Sequence, residues 1–385
     1  ANNNNKDKCN VPNLRFPEFS GEWEMSSIGE QFELYSGNTP SRMNKNQFDG
    51  SINWITSGEL KEHYISDTKE KISEEAAKNN SLKLLPVGTF VIAIYGLEAN
   101  GVRGTCSITT RESTISQACM AFTSKMDIQN EFLYSWYKKH GNIIGIKYAQ
   151  GTKQQNLSYD IIERFNISYP CMEEQKKLIR FISLIDQRIA TQNKIIEDLK
   201  KLKSAISERL FNAIKGDVVV LEDIGDVVKG KQINGEFLSE SGKYYVMNGG
   251  IEPSGFYNDY NVEANTISIS EGGNSCGYVQ FNACPFWSGG HCYTIQNTTD
   301  NVKTEYLYQF LKSKESEIMK LRIGSGLPNI QKKDLAKFKI TIPNISEQKV
   351  ISAFLSSFER KADVEMNFVN LLLEEKQYLL RQMFI

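Results

Sequence analysis

Pro170-Cys171-Met172-Glu173-Glu174-Gln175-Lys176 recurs as Pro343-Asn344-Ile345-Ser346-Glu347-Gln348-Lys349, with Pro, Glu, Gln and Lys in the same places. The offset is 343 − 170 = 173, and it holds without a gap to the end of the sequence, where Phe181 falls on Phe354 and Phe211 on Phe384. Positions spaced alternately four and three apart read Leu178, Ile182, Ile185, Ile189, Gln192, Ile196, Leu199, Lys203, Ile206 and Leu210. The copy reads Ile351, Leu355, Phe358, Ala362, Glu365, Val369, Leu372, Lys376, Leu379 and Met383. Eight of ten are apolar in each, and the polar interruptions coincide. An apolar seam held at a period of 3.5 is that of helices winding around one another. At a rise of 1.5 Å per residue, about 40 residues make a rod of roughly 60 Å.

Upstream, Gly151, Asn156, Phe165 and Ile167 meet Gly324, Asn329, Phe338 and Ile340 at the same offset. Farther back the halves correspond loosely. The expected architecture is α+β: two α/β domains joined by two long antiparallel coiled-coil helices in a pseudo-two-fold internal repeat. The boundaries fall at 1–170, with an extended strap over 11–24 that opens the first domain, a central helix at 171–215, a second domain at 216–342, and a last helix at 343–385. Within the first domain, 89–95 and 115–122 read as strands and 131–140 as a helix; within the second, 217–221, 266–270 and 293–296 read as strands.

Composition narrows the class. The 385 residues carry 40% hydrophobic and 11% aromatic content, enough for packed cores. A formal charge of −1 argues against a wholly basic nucleic-acid binder, so any DNA contact must come from local patches. No run of eighteen apolar residues appears, and the asparagine-rich start is no signal sequence, so a cytoplasmic protein with no membrane contact is expected. Cys9, Cys106, Cys119, Cys171, Cys276, Cys284 and Cys292 form no C-x-x-C pair and read as free thiols. Cys276, Cys284, His291 and Cys292 lack the close ligand pairs of structural zinc, and no metal is expected.

Catalytic strings are missing. Residues 225–232 match G-x-x-x-x-G-K, but Gln232 stands where a magnesium-binding Ser or Thr is needed and no amphipathic helix follows, so a strand and loop are expected. All nine prolines are isolated, which removes the Pro-Pro-aromatic string of a DNA-adenine methyltransferase. His63, His140 and His291 fall in no Ser/His/Asp or Cys/His constellation, and Glu74-Glu75 reads as solvated charge on a helix.

The chain resembles the specificity subunit of a type I restriction-modification system. The resemblance is carried by Leu14-Arg15-Phe16-Pro17-Glu18-Phe19 with Trp23, by the two helix entries, by the closing Leu379-Leu380-Arg381-Gln382-Met383-Phe384-Ile385, and by the half-chain repeat. It implies two target-recognition domains, each reading one half of an asymmetric split DNA sequence, and constant helices that set the gap and dock two methyltransferase subunits acting on adenine. It also implies that restriction subunits join and cut unmodified DNA, that this chain is not itself an enzyme, and that its partners hold the cofactors: S-adenosylmethionine in the methyltransferase, ATP and Mg in the restriction subunits. A coiled-coil adaptor whose two domains bind other ligands is the alternative.

Base reading needs hydrogen-bonding side chains on projecting loops. The candidates are Asn38, Thr39, Ser41, Arg42, Lys45 and Arg103 in the first domain, and Lys229, Lys231, Gln232, Asn234, Asn274 and His291 in the second. Lys138, Lys139, Lys147 and Lys153 are candidate phosphate contacts. The 151–156 stretch is read as a turn leading into the helix. Glu174, Gln175, Glu347 and Gln348 are candidates either for holding each domain to its helix or for touching a methyltransferase subunit.

Overall fold

The computed structural model describes residues 10–99, 101–125, 127–151, 155–324 and 328–385. The chain forms two compact units, Ala1–Thr191 with Val369–Ile385, and Gln192–Phe368. Their borders fall within the long helices, Met172–Ala213 and Ile345–Met383, so each unit contains part of both.

In the first unit the strands run β1 (Glu24–Ser27), β2 (Phe32–Ser36), β3 (Ile52–Ile55), β4 (Tyr64–Ile65), β5 (Lys71–Ile72), β6 (Phe90–Ala93), β7 (Cys106–Thr109), β8 (Ser113–Ile115), β9 (Cys119–Ser124) and β10 (Asn166–Tyr169). The main sheet has the order β2-β9-β6-β7-β4, a second sheet β5-β3-β8, and β1 pairs with β10. The expected 115–122 strand is divided, because Ser116 Oγ accepts from the Ala118 N–H at 3.3 Å and turns the chain. The expected 131–140 helix continues as Asn130–Tyr148 through two glycines. Gly145 is required by close packing there: a Cβ would lie 2.5 Å from Arg103 Cγ. The core gathers Phe90, Phe122, Phe132 and Tyr137, with Leu178, Ile182, Leu379 and Phe384 of the long helices closing it.

The strap is not extended as expected but loops back on itself: the Trp23 N–H donates to the Asn10 carbonyl at 2.7 Å, the Phe19 N–H closes a turn on the Phe16 carbonyl at 3.1 Å, and Gly21 bends the chain with φ of 81°. The Leu14 N–H donates to the Gln382 carbonyl at 3.0 Å, Phe16 meets Phe181 edge to face, and buried Trp23 packs on Phe132.

The second unit has β11 (Asp217–Val220), β12 (Asp226–Lys229), β13 (Tyr244–Met247), β14 (Phe256–Tyr257), β15 (Thr266–Ser270), β16 (Val279–Asn282), β17 (Trp287–Ser288), β18 (Cys292–Gln296) and β19 (Lys339–Ile342). Its main sheet, β12-β18-β15-β16, repeats the order of β2-β9-β6-β7. β11 pairs with β19 as β1 does with β10; Asp217 faces Ile342 and Glu24 faces Tyr169, where Ile342 lies 342 − 169 = 173 residues after Tyr169. Residues 225–232 form strand β12 and a loop. Cys276 and Cys292 are buried while Cys284 is exposed.

All twenty seam positions are buried or half-buried. The polar interruptions pair across the helices. In the second unit Gln192 bonds Glu365, and Lys203 meets Glu359 at 2.6 Å. In the first, Lys376 meets Asp186 at 2.5 Å. Lys203 and Asp186 are the 173-residue counterparts of Lys376 and Glu359, so each unit holds the same ion pair with the helices exchanged. In the second unit the partners run in opposite directions along the two helices, which sets the pairing antiparallel.

The shared Gly and Asn close the same hairpin twice. Gln150 and Asn156 exchange backbone bonds of 2.8 and 2.9 Å; Ile323 and Asn329 exchange bonds of 2.9 and 3.0 Å. Gly151 and Gly324 have φ of 107° and 97°, where a side chain would be strained.

Candidate nucleic-acid interface

The helix entries are the best-defined part. Gln175 is fully buried: its Oε1 accepts from the Gln129 N–H at 3.0 Å, and its Nε2 donates to the carbonyls of Asp127 at 2.7 Å and Pro170 at 3.0 Å. Gln348 repeats this with the Lys303 N–H at 2.8 Å and the carbonyls of Asn301 at 2.8 Å and Pro343 at 2.9 Å. The two glutamines therefore clamp each domain to its helix. Glu174 is buried and takes a two-pronged bond from Arg15 of the strap, at 2.8 and 2.7 Å, whereas Glu347 is exposed. Replacing Gln175 or Gln348 by alanine strands one buried N–H and two carbonyls. Each change should cost about 2–4 kcal/mol in thermal unfolding, and about equally, since an unsatisfied buried group costs about 1–3 kcal/mol.

In the first unit the loop after β2 projects Asn38, Ser41 and Arg42 outward, with Thr39 half-buried. It is braced from below: Trp54 Nε1 donates to the Asn38 carbonyl at 3.2 Å, and Asn38 Oδ1 accepts from the Thr39 N–H at 2.8 Å. Arg42 grips Glu70 with both prongs, at 2.5 and 2.8 Å, and lies over Phe48. The hydrogen bond to Glu70 raises the Arg42 pKa further, and the side chain stays largely exposed. The side chain of Lys45 lies outside the described part, and so does residue Lys153. Arg103 is not in this loop. It lies half-buried across Gly145 and donates to Gln155 Oε1 at 2.6 Å, bracing the 150–156 hairpin.

Of the candidate phosphate lysines, Lys139 is half-buried and donates to the Phe384 carbonyl at 2.5 Å, beside His140, whose ring burial depresses to about 4. Lys138 and Lys147 are exposed next to Tyr134 and Tyr148. His63 is stacked between Tyr64 and Tyr134 with Nε2 2.9 Å from Glu131, a packing role.

In the second unit several candidates converge on one sheet edge, where the ends of β12, β18 and β15 meet. Lys229 donates to Glu271 Oε1 at 2.6 Å, His291 Nδ1 lies 3.8 Å from Glu271 Oε2, and the His291 N–H donates to Asn248 Oδ1 at 3.1 Å. Gln232 packs against Gly290, where a Cβ would meet its Oε1 at 2.4 Å. The Lys231 N–H donates to the Ser288 carbonyl and its own carbonyl accepts from Trp287, at 2.8 and 2.9 Å. Asn274 is exposed on the loop that Glu271 opens. Asn234 stands apart, capping the short turn Gly235–Phe237. Glu271 itself escaped the sequence reading: an acid opening a glycine-rich loop gives no sign of burial, yet it is only 8% exposed. Burial, then its bond to Glu271, pushes the Tyr293 hydroxyl upward.

The family model for the type I restriction modification DNA specificity domain matches residues 20–201 and 215–372. The chain belongs to this family. The MjaIX specificity subunit of a type I restriction enzyme from Methanocaldococcus jannaschii is 26% identical over 84% of this chain and 83% of its own length. A putative type I specificity subunit of Mycoplasma pneumoniae is 34% identical over 41% of this chain and 42% of its own length. In fold, the S subunit of a type I restriction-modification system from M. genitalium matches with a TM-score of 0.59 and 19% identity, covering 97% of this chain and 99% of that one.

As a type I specificity subunit the chain is non-catalytic, the catalytic activities lying in partner subunits. The adaptor reading finds no support among these relatives. Among the described residues no helix is long and apolar enough to cross a membrane.

Proposed function

We propose that each unit reads one half of an asymmetric split target in double-stranded DNA, and that the paired helices set the gap and dock two methyltransferase subunits that modify adenine. Restriction subunits complete the assembly and cut unmodified DNA. S-adenosylmethionine belongs to the methyltransferase partners, and ATP and Mg to the restriction partners. The observation that carries this reading is the contrast within the repeat. The glutamine clamps, the four-strand order and the turn-closing hairpins are duplicated, while the loops at the sheet edges differ in length and chemistry. A constant frame with divergent loops suits one task performed on two different sequences.

Docking is supported by apolar side chains left outside the seam. On the second long helix Val350, Phe354, Val364, Leu371 and Tyr378 are 69, 47, 59, 62 and 55% exposed, at heptad-compatible spacing. Val364→Glu with Leu371→Glu should abolish co-purification of the methyltransferase subunits while moving stability by no more than about 0.5 kcal/mol, the usual range for exposed sites. Retained co-purification would place the docking surface elsewhere.

The decisive test is co-expression with the cognate methyltransferase subunits in a host without adenine methylation, followed by mapping methylated adenines. One split, asymmetric motif with a fixed gap is expected. An undivided motif would mean that one unit does not read DNA, and no motif from a stable complex would overturn the proposal.

A further inference from the structure

The register of the two main sheets aligns them residue by residue. Ala93 faces Cys119 in the first unit and Ser270 faces Cys292 in the second, while Ser36 faces Met120 and Lys229 faces Tyr293. Thus Lys229, Glu271 and His291 occupy the places that Ser36, Ile94 and Ala118 occupy in the other unit. The charged cluster is an addition to one unit, not a part of the frame that both share.

Its chemistry faces one way. Glu271 supplies the acceptors, and they are turned inward: Oε1 receives Lys229 at 2.6 Å and the Tyr293 hydroxyl at 3.0 Å, while Oε2 is buried without a hydrogen-bond partner among the described residues. The donors are turned outward. Lys229 is 51% and His291 64% exposed, and an ammonium with one bond to Glu271 keeps two N–H groups for a ligand. The flanking loops carry Gln232 on one side and Asn274 on the other. An outward donor fixed from behind matches a base edge that offers acceptors only, and in the major groove that is the O6 and N7 edge of guanine.

We infer that Lys229, held by the buried Glu271 and flanked by His291, reads a guanine in the half-site recognised by the second unit, with Glu271 as its positioning residue. This rests on the reading that each unit recognises a half-site. A lysine that merely touched phosphate would need no buried acid to aim it, and its loss would weaken binding to all sequences alike.

The experiment maps adenine methylation by the co-expressed complex carrying the wild-type chain, E271Q, K229M or K229R. Glu271→Gln preserves shape and removes the charge; Lys229→Met changes a half-exposed side chain. Both should relax one guanine in one half-site, with preference there falling roughly ten- to a hundredfold, and leave the other half-site and the gap intact. Lys229→Arg, which keeps a cationic donor able to bond guanine O6 and N7, should keep the guanine. If K229M yields the unaltered motif, or lowers methylation at every site without changing a letter, the inference is overturned, even where E271Q does not assemble. A wild-type complex that yields no motif would instead sink the half-site reading beneath it.

Discussion

Replacing Arg15 by alanine should lower the stability of the first unit by about 3–5 kcal/mol, the cost of leaving one member of a buried ion pair uncompensated. Glu174 is 1% exposed, and Arg15 meets both its oxygens at 2.8 and 2.7 Å while also donating to the Gly21 carbonyl at 2.5 Å. One side chain thus ties the strap to the helix entry and to itself. With the guanidinium gone, the carboxylate keeps its desolvation and loses its partner. A melting-temperature drop of about 10 °C or more is expected for a unit of this size. Adding Glu174→Gln to Arg15→Ala should recover much of the loss, since a neutral amide is far cheaper to bury. A double-mutant cycle by thermal unfolding checks both parts, and additive losses would show that the two groups do not act as a pair.

Inserting four residues into each long helix, between Thr191 and Gln192 and between Phe368 and Val369, should lengthen the recognised gap by one or two base pairs and leave both half-sites unchanged. The insertions lie where the chain passes from one unit to the other, so neither domain core nor glutamine clamp is touched. Four residues add about one turn, roughly 5.4–6 Å, against a rise of about 3.4 Å per base pair. The seam survives because 3.6 residues per turn brings the inserted turn back to nearly the same face, with the small unwinding known for four-residue insertions. Methylation mapping reads the gap directly; an unchanged gap would show that the helices do not set it.

The polar interruptions of the seam show how far a pattern can be read. Gln192, Lys203, Glu365 and Lys376 stand out in the sequence only as departures from an apolar period. Their burial at the seam follows from the period itself; that Gln192 would meet Glu365, and Lys376 an acid one place off the seam at Asp186, depends on how the helices lie side by side. The same holds for the helix entries. The repeat singles out Gln175 and Gln348, but the choice between clamp and partner contact is settled by which backbone groups they meet, 46 and 45 residues away. Residue type marks Arg42 and Arg103 as loop donors, yet both have partners within the chain, because Glu70 and Gln155 come from segments that only folding brings near.

By itself, then, the sequence determined the duplicated frame: long helices from a 3.5-residue period, a repeat at one fixed offset, a shared glycine and asparagine before each helix, and the absence of catalytic strings. Such features are local or periodic, and backbone geometry converts them into structure without reference to distant residues. Tertiary structure alone decided which polar side chains remain available. Placing Lys229, Glu271 and His291 on one sheet edge depends on the pairing of β12, β18 and β15, strands separated by dozens of residues. Burial of a carboxylate and exposure of the donors it holds are properties of that pairing, since only the folded chain defines an inside and an outside for a loop.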